Sequence, residues 1–217
     1  MNHRGRDPRA PSSCPYPSSP AVTPLDLSSN VALVAVCLLT CNLLLGLLLS
    51  MHYNPWKHWP HRRFNYFKLH NWTGYVALAL AVLHAVLLLA VKTPAFRFID
   101  IVYPVNGPRQ PWINAIGAAS LYVLGVVVVT SYFRGAIGRR RWRLFHYLTY
   151  LTAALFFVHG VLTDPTLKDA PIDFLDGEKV LIEGCALLVV AMSAYRLRWG
   201  LRRRHHKGVI PAVSRAA

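Results

Sequence analysis

Acidic residues are scarce in this chain, nine against 24 lysines and arginines among 217 residues, which leaves a formal net charge of +15. Charge of either sign is sparse too, at 15% where a soluble domain carries roughly 25%. That excludes an ordinary water-soluble globule. Cysteine carries no metal or redox pattern: Cys14, Cys37, Cys41 and Cys185 form no CxxC pair, so neither an iron–sulfur nor a zinc site is written in them. Cys37 and Cys41 share a helix face inside an apolar run, which suits small apolar packing. No glycine-rich dinucleotide fingerprint follows a strand. A basic excess would suggest nucleic acid, but here the basic residues stand in short clusters flanking apolar runs. They read as topological charge, and no nucleic-acid partner is expected.

What the chain does have is apolar sequence, 54% of it, gathered into runs of the roughly 20 residues a helix needs to cross a bilayer. The spans fall at about 31–50, 70–91, 113–132, 144–163 and 179–198, so the fold class is an all-α integral membrane protein, a five-span helical bundle. Residues 1–29, rich in Pro, Ser and Arg, read as a disordered tail, residues 30–200 as the membrane domain and 201–217 as a basic tail. Arg4, Arg6 and Arg9 precede the first run, as in a signal peptide, but the run is long for that and lacks a small-residue cleavage site. It reads as a retained span.

The positive-inside rule orients the bundle. Lys57, Arg62, Arg63 and Lys68 in loop 51–69, Arg134, Arg139, Arg140, Arg141 and Arg143 after the third span, and Arg196, Arg198, Arg202, Arg203 and Arg204 at the end mark the cytoplasmic side. The loop 164–179, with Asp164, Asp169, Asp173, Asp176 and Glu178, lies outside, as does loop 92–112. The expected setting is the plasma (bacterial inner) membrane, with the N-terminus outside and the C-terminus cytoplasmic.

Two of the spans hold histidines in pairs. His70 and His84 bound HNWTGYVALALAVLH; His146 and His159 bound HYLTYLTAALFFVH. An ionisable group inside a span points to function, and neutral imidazole is a common axial ligand of haem iron. At roughly 1.5 Å per residue the pairs are separated by about 21 Å and about 19–20 Å. The two helices run in the same direction, so His70 meets His146 at one depth and His84 meets His159 at another, giving two stacked haems. The angular test is less tidy. At ~100° per residue, fourteen residues return to within about 40° of one face, whereas thirteen miss by about 140°. Either the fourth span is locally overwound, with Thr149 and Thr152 as candidate sites, or its histidines face different sides. The competing readings are another metal, or core histidines bonded to neighbouring helices.

These segments resemble the ferric-reductase-like transmembrane domain, the haem core of NADPH oxidases and ferric reductases. The matching pieces are H-x13-H with Gly74 four after the first histidine, H-x12-H, the lead-in RRRWRLFHYLTYL and the trailing HGVLTDP. The haem-binding membrane subunit of the bacterial periplasmic methionine sulfoxide reductase system is similar. The resemblance implies an inner haem b on His70 and His146, an outer one on His84 and His159, and electrons moving from a cytosolic donor to an acceptor outside. It also implies departures: five spans rather than six, Thr152 where an aromatic often stands between the haems, and no room for FAD- and NADPH-binding domains. A separate cytosolic flavoprotein reductase is then the expected donor, and the chain the electron-transfer subunit of an oxidoreductase.

Arg140 and Arg143, just before His146, are candidate partners for the inner haem's anionic propionates; a donor-docking surface is the alternative for that cluster. Trp72, Tyr147, Tyr150, Phe156 and Phe157 read as packing around a flat macrocycle. His52, His58, His61, His205 and His206 read as surface histidines. Two rival functions stand beside the main one. A quinol-linked cytochrome b would be fed from the lipid phase, with Glu183 as a thin hint of a proton group. A haem-free transporter or scaffold would show no haem band.

Overall fold

The computed structural model describes residues 22–51, 65–168, 171 and 173–208. Its helices are α1 (Pro24–Ser50), α2 (Tyr66–Leu87), α3 (Phe98–Val102), α4 (Pro111–Tyr132), α5 (Arg134–Ile137), α6 (Arg139–His146), α7 (Leu148–Leu162) and α8 (Gly177–Gly208). Among the described residues, five helical stretches are long and apolar enough to cross a membrane: α1, α2 with the short turn to Ala90, α4, α6 with α7, and α8 to Arg203. The five expected spans are these five, and the fold is an all-α membrane bundle. No β-strand occurs among the described residues, only an isolated bridge between Lys92 and Ala95.

α1 and α2 outrun the apolar runs, each started by a polar cap. At the head of α1 the Thr23 hydroxyl accepts from the Asp26 amide at 3.2 Å, while the Asp26 carboxylate accepts from the Thr23 amide at 3.0 Å. This reciprocal box satisfies donors that a helix start leaves unpaired, and Pro24 follows at the first helical position. The helix therefore begins inside the segment 1–29 read as a tail, and Ser28 in it is 1% exposed. Asn65 caps α2 by accepting from the Lys68 amide at 3.0 Å. Residues 1–21 of the expected tail lie outside the described residues. So do 52–64 of the first basic loop, with Lys57, Arg62, Arg63, His52, His58 and His61, and 209–217 of the basic tail. Asp169 and the side chains of Arg204, His205 and His206 do as well.

The chain forms two helical hairpins running in the same sense. α1 packs on α2, and α4 packs on the α6–α7 span; α2 touches α4, and α8 closes against α1 and α7. A core of Leu39, Ala77, Leu124, Ala153, Phe156, Phe157, Ile182 and Val189 lies where they meet. Large apolar side chains face outward along the spans, among them Trp72, Val76, Leu83 and Val86 on α2 and Leu187, Val190 and Leu197 on α8. Such faces are stable against lipid, where helices keep their backbone bonds internal. One end of the bundle carries Arg134, Arg139, Arg140, Arg141, Arg143 and Arg202; the other carries Asp100, Asp164, Asp173, Asp176 and Glu178. They are called here the basic and the acidic end.

The fourth span is not one continuous helix. α6 ends at His146, and Tyr147 interrupts it, its amide shared between the Arg143 and Leu144 carbonyls at 3.2 Å each. The next bond, from the Tyr150 amide to the Tyr147 carbonyl at 3.2 Å, closes a three-residue turn. Such turns wind tighter than an α-helix, in the direction that the thirteen-residue spacing requires. The Thr149 hydroxyl takes up the His146 carbonyl at 2.8 Å. The distortion thus sits at Thr149, while the buried Thr152 hydroxyl has no hydrogen-bond partner among the described residues.

At the acidic end α3 is held by a clasp. Asp100, buried, accepts from the Arg97 amide at 2.9 Å and from its guanidinium at 3.1 and 3.2 Å. The Tyr122 hydroxyl on α4 donates to the Val102 carbonyl. Side-chain and then backbone hydrogen bonds from Arg97 hold the Asp100 carboxyl below the usual carboxylate range. Its stabilising effect is therefore complete above the unfolded carboxyl's pKa and is lost as pH falls through the lower folded value. Amide exchange of residues 97–102 in Asp100→Asn should be several-fold faster than in the parent at neutral pH. The two should converge, after correction for intrinsic rates, once pH is well below about 4.

Candidate functional site

Two cavities lie between the hairpins, one above the other. The smaller is lined by His70, His146, Asn42, Ser131, Thr149 and Thr152 among others. The larger opens toward the acidic end and is lined by His84 and His159 together with residues of α1, α3, α4 and α8. His70 and His146 thus line one cavity and His84 and His159 the other. Phe156 lines both cavities, and Ala77, midway between His70 and His84, is 0% exposed.

All four rings are held through Nδ1. His70 Nδ1 bonds the Asn42 carbonyl at 3.1 Å, His84 Nδ1 the Ser28 carbonyl at 3.0 Å and His159 Nδ1 the Ile113 carbonyl at 2.9 Å. A main-chain carbonyl only accepts, so these three rings carry their proton on Nδ1. His146 Nδ1 lies 3.5 Å from the Ser131 hydroxyl, which accepts from Trp142 Nε1 at 3.3 Å; the Trp142 ring stacks on His146 at 4.9 Å. Among the described residues none of the four Nε2 atoms has a hydrogen-bond partner. An imidazole tied down by Nδ1–H with a bare Nε2 is the usual preparation of a metal ligand.

The carbonyl contacts share a local cause. A helix carbonyl is shielded from neighbours by the side chain one turn later, since side chains lean toward the N-terminus. The residues four after Asn42, Ser28 and Ile113 are Gly46, Ala32 and Gly117. A Cβ at Gly117 would lie 2.7 Å from His159 Cε1, and one at Gly46 would lie 3.2 Å from His70 Cε1. The rings enter where the helix surface is bare.

The backbone of each histidine is fastened as well. Asn42 donates to the His70 carbonyl at 2.5 Å and Ser28 to the His84 carbonyl at 3.0 Å; Thr149 and Thr163 donate to those of His146 and His159 at 2.8 and 2.6 Å. So α1 props both histidines of α2, and α4 props the rings of both histidines on the fourth span. Sequence reasoning missed Ser28, Asn42, Gly46, Ile113, Gly117, Ser131 and Trp142.

The donor set discriminates among possible occupants. Among the described residues no group of three or more His, Cys, Asp and Glu could hold a metal ion, whereas a bare zinc site takes three or four protein ligands. Two imidazoles suit a metal whose remaining positions are filled by a macrocycle. The His70 and His146 ring centroids are 6.2 Å apart. Two imidazoles bound by nitrogen on opposite sides of one metal, with bonds of roughly 2 Å each, would sit roughly 6 Å apart. The spacing of His70 and His146 therefore fits a bis-imidazole haem.

A family model, the ferric reductase like transmembrane component, matches residues 31–157, more than half of the chain. The chain belongs to that family. Membership brings a transmembrane electron-transfer function, and domains of this family generally bind haem. His70, His84 and His146 lie inside the matched stretch, and His159 follows two residues beyond it. Neither the curated proteins nor the solved structures yield a match. Other expected site residues fall elsewhere in this family member. Arg140 and Arg143 are exposed on α6 and are not among the residues lining the two cavities, and neither is Glu183.

Proposed function

We propose that this chain is a transmembrane di-haem b cytochrome, with His70 and His146 holding one haem near the basic end and His84 and His159 the other near the acidic end. The observation that carries the reading is the common state of the four rings, each engaged at Nδ1 and bare at Nε2. Haem supplies a one-electron iron couple when bound. The protein's own part is to fix ring tautomer and orientation through main-chain acceptors, and to surround each level with apolar side chains that exclude water.

The basic end is the cytosolic face by the positive-inside rule, which puts the N-terminus outside and the C-terminus in the cytoplasm of a plasma or bacterial inner membrane. Arg140 and Arg143 stand exposed beside His146 on that face, where they offer a cationic docking edge to a flavoprotein donor. The acidic end then faces the acceptor outside. Moving one charge across the full membrane would respond to voltage by about 2.3 kcal/mol per 100 mV. Glu183, the residue that hinted at a quinol-fed cytochrome, lines neither cavity.

The deciding experiment is a dithionite-reduced minus oxidised spectrum of purified protein with haem quantitation. Two b-type, low-spin haems per chain are expected; a colourless protein ends the proposal. In liposomes, reduction should require a flavoprotein and should not occur with quinol alone.

A further inference from the structure

Lys179 is 6% exposed, yet it makes no hydrogen bond or ion pair with any described residue. It lines the larger cavity together with His84 and His159. A buried ammonium without a counter-charge is costly and normally has an anionic partner. Its position adds to the puzzle. It stands in the first turn of α8, which begins at Gly177, and a helix start already carries partial positive charge that favours anions.

The acids nearby are engaged otherwise. Asp100 is clasped by Arg97. Asp164 turns back on its own loop, accepting from the Thr166 amide and hydroxyl at 2.8 and 2.7 Å and from the Lys168 amide at 3.0 Å. Glu178 accepts from the Ser29 hydroxyl at 3.2 Å. Asp176, the remaining acid of the lining, makes no ion pair with Lys179. The cavity thus holds a buried cation and a helix start, and its own carboxylates leave that cation unpaired.

We propose that Lys179, with the first-turn amides of α8, binds a carboxylate of the group held by His84 and His159, namely a haem propionate at the acidic end. This rests on the di-haem reading. On that reading the lysine makes the acidic-end haem easier to reduce, since a nearby positive charge favours the added electron.

The test is a potentiometric titration of Lys179→Met and Lys179→Arg, with haem counted in each. Lys179→Met should keep both haems and lower the potential of only the one that His84→Ala removes. The expected loss is roughly tenfold in its reduction equilibrium, about 59 mV for one electron. Lys179→Arg should stay near the parent. Reconstitution with haem dimethyl ester, which lacks the carboxylates, should abolish the difference between Lys179→Met and the parent. The parent also gives a measurement without any variant: the esterified haem should leave the acidic-end site several-fold faster than haem b. Unchanged potentials in Lys179→Met with both haems present would overturn the proposal. A shift that persists with the ester would overturn it too, and would assign the lysine to an anion other than a propionate. A haem-free parent would instead overturn the di-haem reading beneath it.

Discussion

Replacing His84 or His159 with alanine should cut the haem content from about two per chain to about one, and the haem that survives should be the same in both variants. Replacing His70 or His146 should remove the other. The reason is the arrangement by depth: each cavity is served by one histidine from α2 and one from the fourth span, so either loss opens one level and spares the other. Truncating an imidazole also leaves its acceptor, such as the Ile113 carbonyl, without a partner, at a cost of roughly 1–3 kcal/mol if it stays buried. Haem quantitation with redox-resolved spectra checks the pattern. If His84→Ala and His146→Ala removed the same haem, the pairing would be wrong, even though each residue might still be a ligand.

Bulk at Gly117 should be nearly as damaging as loss of His159 itself. A Cβ there would stand 2.7 Å from Cε1, 2.8 Å from Nδ1 and 2.9 Å from Nε2 of that ring, closer than unstrained contact allows. The ring can retreat only by giving up its 2.9 Å bond to the Ile113 carbonyl. Overpacking typically costs about 1–3 kcal/mol, and the lost hydrogen bond about 1 kcal/mol more. Gly117→Val should therefore lack the acidic-end haem while keeping the basic-end one. Gly46→Ala, whose Cβ meets His70 at 3.2 Å, should weaken its site without emptying it. Gly125 on the same helix as Gly117 has nothing within 4 Å; Gly125→Ala should leave both haems in place and isolates the steric effect from helix propensity. Equal spectra for Gly117→Val and Gly125→Ala would refute this account.

The membrane class, the five spans and the four histidines could be read from the sequence because they are written in side chains, as apolar runs interrupted by ionisable groups. The capping box that starts α1 is equally a side-chain signal, written in Thr23-Pro24-Leu25-Asp26, and it sets the helix start within the segment read as a tail. The props under the rings were hidden for a different reason. Three of the acceptors are backbone carbonyls, at Ser28, Asn42 and Ile113, and a carbonyl is the same at every residue. The visible trace was indirect: Gly46 and Gly117 are helix-disfavouring residues in runs with no turn to serve. The break at Tyr147 was foreseeable only as a mismatch between thirteen residues and a whole number of turns. Its location depended on Thr149 capturing a carbonyl, a choice that Thr152 could equally have made on paper.

Each hairpin brings its own rings and its own props, but neither brings both ligands for any one level. The Nδ1 partners of His70 and His84 lie on α1, and those of His146 and His159 on α4. Each half thus supplies the supports for its own two rings but only one histidine at each level. On the di-haem reading, a group held from both sides would join the two hairpins, and cofactor delivery would be an assembly step rather than a late addition to a finished bundle.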